Sequence, residues 1–310
     1  MVHLLVSSDQ LDGIAAAAIL GRALTLHGND WRLAATVSLL DVSAHQEVLA
    51  WQGATLSLVD VTPANLGSDD VVRALGQGNR IAYWCTDFPL GRQHVELVNE
   101  VAATADADAV QTDCSSAGLA LRRFLPHDAV AQQLATMAQD IKRWRRKDEA
   151  ALRLADVIAS GYDRRKLVEM LSKGVFWSPT LEMEREKYCE RRDKALADLP
   201  KHLVIKDYVG KKFGFTLCAS FVPSAIACQE LLDRHVGVDV AAVIFRDGRI
   251  VFRRGEGVDC DCATLARLFG GDGRQFAAGG RVRGVTSVSG ESFEKALFAV
   301  DRTLKDHFLR

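Results

Sequence analysis

Apolar residues in the first half of the chain fall in short runs, and these alternate with longer helix-like stretches. Leu4–Ser7 is an apolar run suited to a buried strand. Ile14–Leu26 is Ala-rich at its start and free of Pro, which favours a helix. Arg32–Leu40 reads as a second strand, His45–Gln52 as a helix and Ala54–Val59 as a third strand. Asp69–Leu75 predicts a helix closed by glycines, Arg80–Cys85 a fourth strand and Ala107–Gln111 a short fifth. Strands alternating with helices predict a parallel sheet with crossovers. Ala129–Trp144 then shows Val130, Leu134, Met137 and Ile141 on one helical stripe, and the pattern continues through Leu152–Ile158 and Leu167–Leu171. Glu182–Leu199 is charged with few apolar positions, so it reads as a connector.

The last third changes character. His202–Val209 and Phe213–Cys218 alternate as neighbouring strands, and Pro223–His235 is helical. Val238–Phe245 and Arg249–Arg254 form a hairpin across Asp247-Gly248, a strong tight-turn signal. Ala263–Phe269 and Phe293–Leu309 are helices. The fold class is therefore α/β. A parallel-sheet domain is expected over 1–160, a helical connector over 161–200 and a smaller α/β domain over 201–310.

Composition changes this picture little. A length of 310 residues suits two domains, and a formal charge of −1 offers no global basic field, though a local basic patch is allowed. Seven scattered cysteines lack zinc-type spacing and fit a reducing compartment. The chain opens without a basic leader, and its apolar runs are too short to span a bilayer. A cytoplasmic protein without a membrane partner is expected.

Candidate chemistry gathers at the strand ends. Asp12, Asp60 and Asp87 each follow a strand, and parallel strand ends converge on one sheet edge. Gathered carboxylates bind hard divalent cations. Against this stand an N-cap role for Asp12 and the ordinary abundance of acids in loops. Gly13 allows a sharp turn beside Asp12. Ser115 or Ser116 can cap the helix Ala117–Phe124, whose N-terminus would also welcome an anion. Asp140 and the run Lys142–Arg146 read as surface charge. Gly270–Gly280 holds five glycines and two alanines in eleven residues, a composition that exposes backbone N–H groups to a phosphate. Arg253 and Arg274 strengthen that reading, since guanidinium pairs with phosphate in a fork geometry.

These motifs resemble the DHH phosphoesterase superfamily of RecJ-like nucleases and nano-RNases over nearly the full length. Ser8-Asp9-Gln10-Leu11-Asp12-Gly13 stands where that family has His-x-Asp-x-Asp-Gly, and Leu56–Asp60 matches its second motif. Thr86-Asp87-Phe88-Pro89 stands at the Asp-His-His, and Ala138–Trp144 carries the later helix Asp. The resemblance implies metal ligation by Asp12, Asp60, Asp87 and Asp140, with Asp60 and Asp12 catalytic. It implies substrate binding by Arg253, Gly270, Gly271, Gly273, Arg274, Ala278 and Gly279, with Arg274 where the family has a His. The departures are Ser8 and Gln10, neutral and weak ligands, and the loss of both histidines of the third motif. A one-residue slip in that motif would leave Phe88 at the ligand position. One divalent ion, Mg or Mn, is the expected cofactor, and Asp9 is a candidate base.

The implied function is a divergent phosphoesterase acting on a small nucleotide, a short oligonucleotide or a phosphoanhydride. The alternative is a protein of this type that binds nucleotide or oligonucleotide without hydrolysis. A homodimer is a possible assembly. A purely structural role ranks third, because packing alone does not call for so many glycines.

Overall fold

The computed structural model describes residues 2–37, 50–88, 90–106 and 114–308. The expected fifth strand Ala107–Gln111, most of the expected helix His45–Gln52, the end of Arg32–Leu40, and Pro89 lie outside them. The chain forms two compact units, Met1–Arg185 and Glu186–Arg310.

The first unit is built on a five-stranded sheet of β1 (His3–Ser8), β2 (Trp31–Val37), β3 (Thr55–Val59), β4 (Arg80–Cys85) and β5 (Ala105–Asp106). The order is β2-β1-β3-β4-β5 and every pairing is parallel. Residues alternate between the two faces, as the strand period requires. Leu5, Val59, Tyr83 and Cys85 join one core, and Leu4, Val6, Leu56, Leu58 and Trp84 join the other. The first core is covered by α1 (Leu11–Leu26), α4 (Ser116–Phe124), α5 (Ala129–Lys142), α6 (Glu149–Ser160) and α7 (Arg164–Ser172). The second is covered by α2 (Asp69–Gly78) and α3 (Arg92–Val101).

Helix α1 is the centre of this unit. Ile14 through Leu20 are all buried, so its alanines serve as close-packing surface rather than mere helix formers. It begins three residues earlier than expected, at Leu11, which puts Asp12 inside the first turn. Gly13 is not a turn residue. It lies in the helix, and a methyl group there would meet Ser8 Oγ at 2.4 Å and Ser8 N at 2.8 Å. Its missing side chain lets α1 descend onto the end of β1.

The second unit has a six-stranded mixed sheet in the order β10-β11-β9-β8-β7-β6. The strands are β6 (Val204–Tyr208), β7 (Lys211–Cys218), β8 (Val240–Phe245), β9 (Arg249–Arg254), β10 (Asp272–Arg274) and β11 (Ala277–Arg281). The expected hairpin joins β8 to β9, with Gly248 at φ +82°. On one face, α10 (Cys262–Arg267) and α11 (Phe293–Phe308) pack over Phe213, Phe215, Ile250 and Phe252. On the other, α9 (Ser224–Arg234) packs over Ala241, Val243 and Phe245. The charged helix α8 (Pro179–Ala197) runs through the boundary between the units, adding Leu181 to the first unit's core and Leu196 to the second's. None of the helices among the described residues is long and apolar enough to cross a membrane.

Candidate functional site

The ends of β1, β3 and β4 deliver a single buried acid group. Asp12, Asp60 and Asp87 are buried, and each offers a carboxylate oxygen within 4.8 Å of the others. Asp60 takes φ +56°, in the left-handed region, as the chain leaves β3. Aspartate tolerates this conformation better than most residues. Its N–H donates to Cys85 O at 2.9 Å, which ties the turn to the next strand.

Each acid is held by groups from the start of α4. Asp12 accepts from Ser116 N–H at 2.9 Å and from Ala117 N–H at 2.8 Å. It therefore serves the N-terminus of α4 rather than capping its own helix, whose N-cap is Gln10. Ser116 Oγ donates to Asp60 Oδ1 at 2.9 Å and accepts from Asp87 N–H at 3.2 Å. One serine thus touches all three acids. Ser115 is the true cap of α4, accepting from Gly118 N–H. With these donors engaged, the anion at this helix terminus is Asp12 itself. Ser8, standing where the resembling family has a ligand, donates its hydroxyl to Asp60 Oδ2.

The charge of the acids is met from within the chain. Lys142, the last residue of α5, places Nζ 2.8 Å from Asp87 Oδ1, 3.2 Å from Asp60 Oδ1 and 3.3 Å from Asp12 Oδ2. Asp87 Oδ1 has no other polar partner among the described residues. Burial disfavours the Lys142 ammonium, but Asp60, Asp12 and Asp87 together outweigh it and raise its pKa above the ordinary lysine value. Burial pushes the Asp12 carboxyl up to about 6, with Asp60 and Asp87 adding to the rise and Lys142 and the Ala117 N–H opposing it.

Asp140 lies elsewhere. Its carboxylate accepts from Lys147 N–H at 3.0 Å and from Asp148 N–H at 3.2 Å, so it clamps the loop after α5. Lys142, two residues on, contacts the three acids in its stead. Sequence reasoning gave Lys142 the role of surface charge and Ser116 that of a helix cap, and placed neither at the acid group. A signal for the lysine existed: three acids gathered at strand ends need a countercharge, and the helix carrying Asp140 ends in a cation. Asp9 accepts from its neighbour Gln10 at 2.9 Å and stands outside the acid group.

Three hard oxygen donors are the type a divalent ion takes. In this arrangement the Lys142 ammonium contacts all three carboxylates, so a dication held by Asp12, Asp60 and Asp87 would take its place.

In the second unit the expected glycine loop is mostly a hairpin of β10 and β11. Gly270 N–H donates to Arg267 O and Gly271 N–H to Ala266 O, closing the end of α10 rather than facing outward. A methyl on Gly271 would lie 1.9 Å from Gly279 O, and one on Gly273 2.6 Å from Ala278 Cα. Packing therefore does call for these glycines, contrary to the expectation. Ala278 is buried in the core. The arginines are placed differently: Arg274 pairs with Ala277, and Ala277 pairs with Arg253. Directly paired residues share a sheet face, so the two arginines flank a small alanine across three strands, roughly 10 Å apart along the sheet. Arg253 Nε also donates to Gln229 Oε1 at 3.1 Å.

No family model and no curated protein matches the sequence. Solved structures do match by shape. RecJ from Thermus thermophilus, in complex with Mn2+, aligns over 98% of this chain at 14% identity with a TM-score of 0.64, and the chain spans about half of it (52%). The DHH domain of a member of a ribosomal-protein family aligns over 97% of this chain and 85% of its own length, at 13% identity and a TM-score of 0.62. The chain has the RecJ-like DHH fold. The pGpG-specific phosphodiesterase PggH from Vibrio cholerae is similar over 99% of both chains, at 9% identity and a TM-score of 0.55. The DHH fold accounts for the convergence of β1, β3 and β4 on one acid group.

Proposed function

We propose that this protein is a DHH-type module that binds nucleotide or short oligonucleotide phosphate without metal-dependent hydrolysis. The observation that carries this reading is the Lys142 ammonium within 2.8–3.3 Å of Asp12, Asp60 and Asp87. An internal cation fixed by three carboxylates neutralises the site and leaves no open ligand position at which to activate water. Lys142, Ser8 and Ser116 act together as a permanent brace across the strand ends. The phosphate-binding role falls to Arg253 and Arg274, which stand in one row with Ala277 as a low floor between them. Two guanidinium groups at that spacing suit a ligand with more than one phosphate.

The structural similarity to RecJ and to a phosphodiesterase is compatible with a nucleic-acid or nucleotide ligand and is the source of that ligand class. The competing reading, a one-ion phosphoesterase, is favoured by the retained acids. Titration of the full-length protein with Mn2+ and Mg2+ by calorimetry distinguishes the two. The expected result is no binding at submillimolar concentration and no hydrolysis of bis-nitrophenyl phosphate or short oligoribonucleotides. Metal-dependent hydrolysis that disappears in Asp60→Ala would restore the phosphoesterase reading.

A further inference from the structure

A basic segment unused by the acid group follows α5. Residues 142–147 read Lys-Arg-Trp-Arg-Arg-Lys, and only Lys142 reaches the acid group. Arg145, Arg146 and Lys147 are exposed, and among the described residues none of the three forms an ion pair. Trp144 and Arg146 both sit in the left-handed region, at φ +56° and +53°. A bulky indole is rarely found there, and such strain persists only where the surroundings hold it. The holder is the buried Asp140. Its carboxylate takes the N–H groups of Lys147 and Asp148, and its carbonyl takes Arg145 N–H at 2.9 Å.

This strained turn organises a surface. The Arg146 guanidinium lies over the Trp144 ring, 4.7 Å from its centroid, which makes a cation–π pair. Beside it is a cavity of about 590 Å³ lined by Ser115, Gln139, Arg145 and Lys147, together with Asp140 and Asp148. Both of those acids are engaged by backbone N–H groups, Asp148 by Ala150 and Ala151 at the start of α6. The two carboxylates balance Arg145 and Lys147 in the lining, and the uncompensated positive charge is that of Arg146 beside it. Clustered cations beside an aromatic–guanidinium pair suit alternating phosphates and bases. An acidic peptide would use the cations but not the stack.

We propose that the loop of residues 143–147 is a second contact for single-stranded oligonucleotide, in the first unit. Arg145 and Lys147 take phosphates at the cavity, and the Trp144–Arg146 pair takes a base. This rests on the reading of the protein as an oligonucleotide binder, and it adds a surface distinct from Arg253 and Arg274. It also gives Asp140 its role, as the positioning residue that fixes the loop.

The test is fluorescence anisotropy of the full-length protein with a fluorescein-labelled single-stranded 12-mer, without divalent ions, at several KCl concentrations. The triple variant Arg145→Ser/Arg146→Ser/Lys147→Ser is expected to bind at least tenfold more weakly at 50 mM KCl. Its slope of log K against log salt should flatten by about 1.4, since the phosphate contacts of Arg145 and Lys147 on a single strand contribute roughly 0.7 each. Trp144→Leu is expected to bind about tenfold more weakly with its slope unchanged, the mark of lost stacking. If the triple variant proves misfolded by near-ultraviolet circular dichroism, Arg145→Ser and Lys147→Ser singly carry the same comparison. Full affinity in the loop variants, with affinity lost in Arg253→Ala/Arg274→Ala, would overturn this inference and leave the binding reading intact. Wild-type protein that binds no oligonucleotide would overturn both. Equal competition by polyglutamate, with Trp144→Leu unaffected, would assign the loop to an acidic protein partner and overturn the proposal.

Discussion

Lys142 is the residue on which the site's behaviour turns. Replacing it with Met leaves three buried carboxylates with no countercharge, and breaking a buried ionic group in this way costs about 3 kcal/mol or more. Lys142→Met is therefore expected to lose that stability in urea denaturation at pH 7.5. It should also gain a rise in Tm on adding Mn2+, which the wild type is expected not to show. A wild-type Tm that rises equally with Mn2+ would mean that the ammonium yields its place.

Asp12 makes a separate prediction with pH. Its carboxyl is raised from the ordinary value to about 6 in the fold, chiefly by burial. Between about 4 and 6 the native protein thus holds a proton that the unfolded chain has released. The Asp12 contribution is fully present below about pH 4 and is lost as pH rises towards 6. The urea midpoint of wild type relative to Asp12→Asn should fall across that window. A relative midpoint that rises instead would show that Lys142 outweighs burial at this carboxyl.

The three acids were legible because each follows an apolar run, and strand ends in a parallel sheet must meet. Lys142 was not legible in the same way: a lysine's reach is long, and a basic run after a helix ordinarily faces water. Asp140 was misplaced for a related reason. A matching motif position fixes the backbone site, but the carboxylate goes to whichever donors lie nearest, and here those are the N–H groups of a strained turn.

At the scale of elements, α5 matters because it carries Lys142 to the acid group, and its start is tied down by Asp128. That carboxylate caps the helix, accepting from Ala131 N–H at 2.9 Å. It also takes both Nε and Nη2 of Arg22 on α1 at 2.9 Å, while Arg22 Nη1 donates to Ser172 O at 3.2 Å. The side chains are 24% and 18% exposed, so this is no fully screened surface pair. Asp128→Ala loses a cap and strands a guanidinium between α1 and α7, and a loss of about 2 kcal/mol is expected by urea denaturation. Asp128→Asn, which keeps the cap, should recover about half of it. Equal losses in the two variants would place the whole effect in the Arg22 pair. Strands and helices were read well wherever one face is apolar and the other is not. The glycine-rich stretch was read as an open loop because glycine composition alone cannot separate exposed backbone from backbone packed against backbone. Gly271 and Gly273 belong to the second kind.

At the scale of the whole molecule, the second unit should be a folding unit in its own right. Its sheet is covered on both faces: Phe213, Phe215, Ile250 and Phe252 are buried on one, and Ala241, Val243 and Phe245 on the other. The second half of α8 belongs to this core through Leu196 and through Tyr188, whose ring meets Phe221 edge-on at 6.4 Å. A fragment beginning at Lys201 would discard these contacts along with Leu199, which is buried and whose carbonyl accepts from Thr216 Oγ1 at 2.5 Å. The expectation follows directly. Residues 186–310 expressed alone should unfold in a single cooperative urea transition with a native near-ultraviolet signal, and residues 201–310 should be markedly less stable or lack the transition. The charged composition of α8 hides this contribution in the sequence, since its few apolar residues matter by position rather than by number. Equal stability in the two fragments would make the helix a connector only, as its composition first suggests.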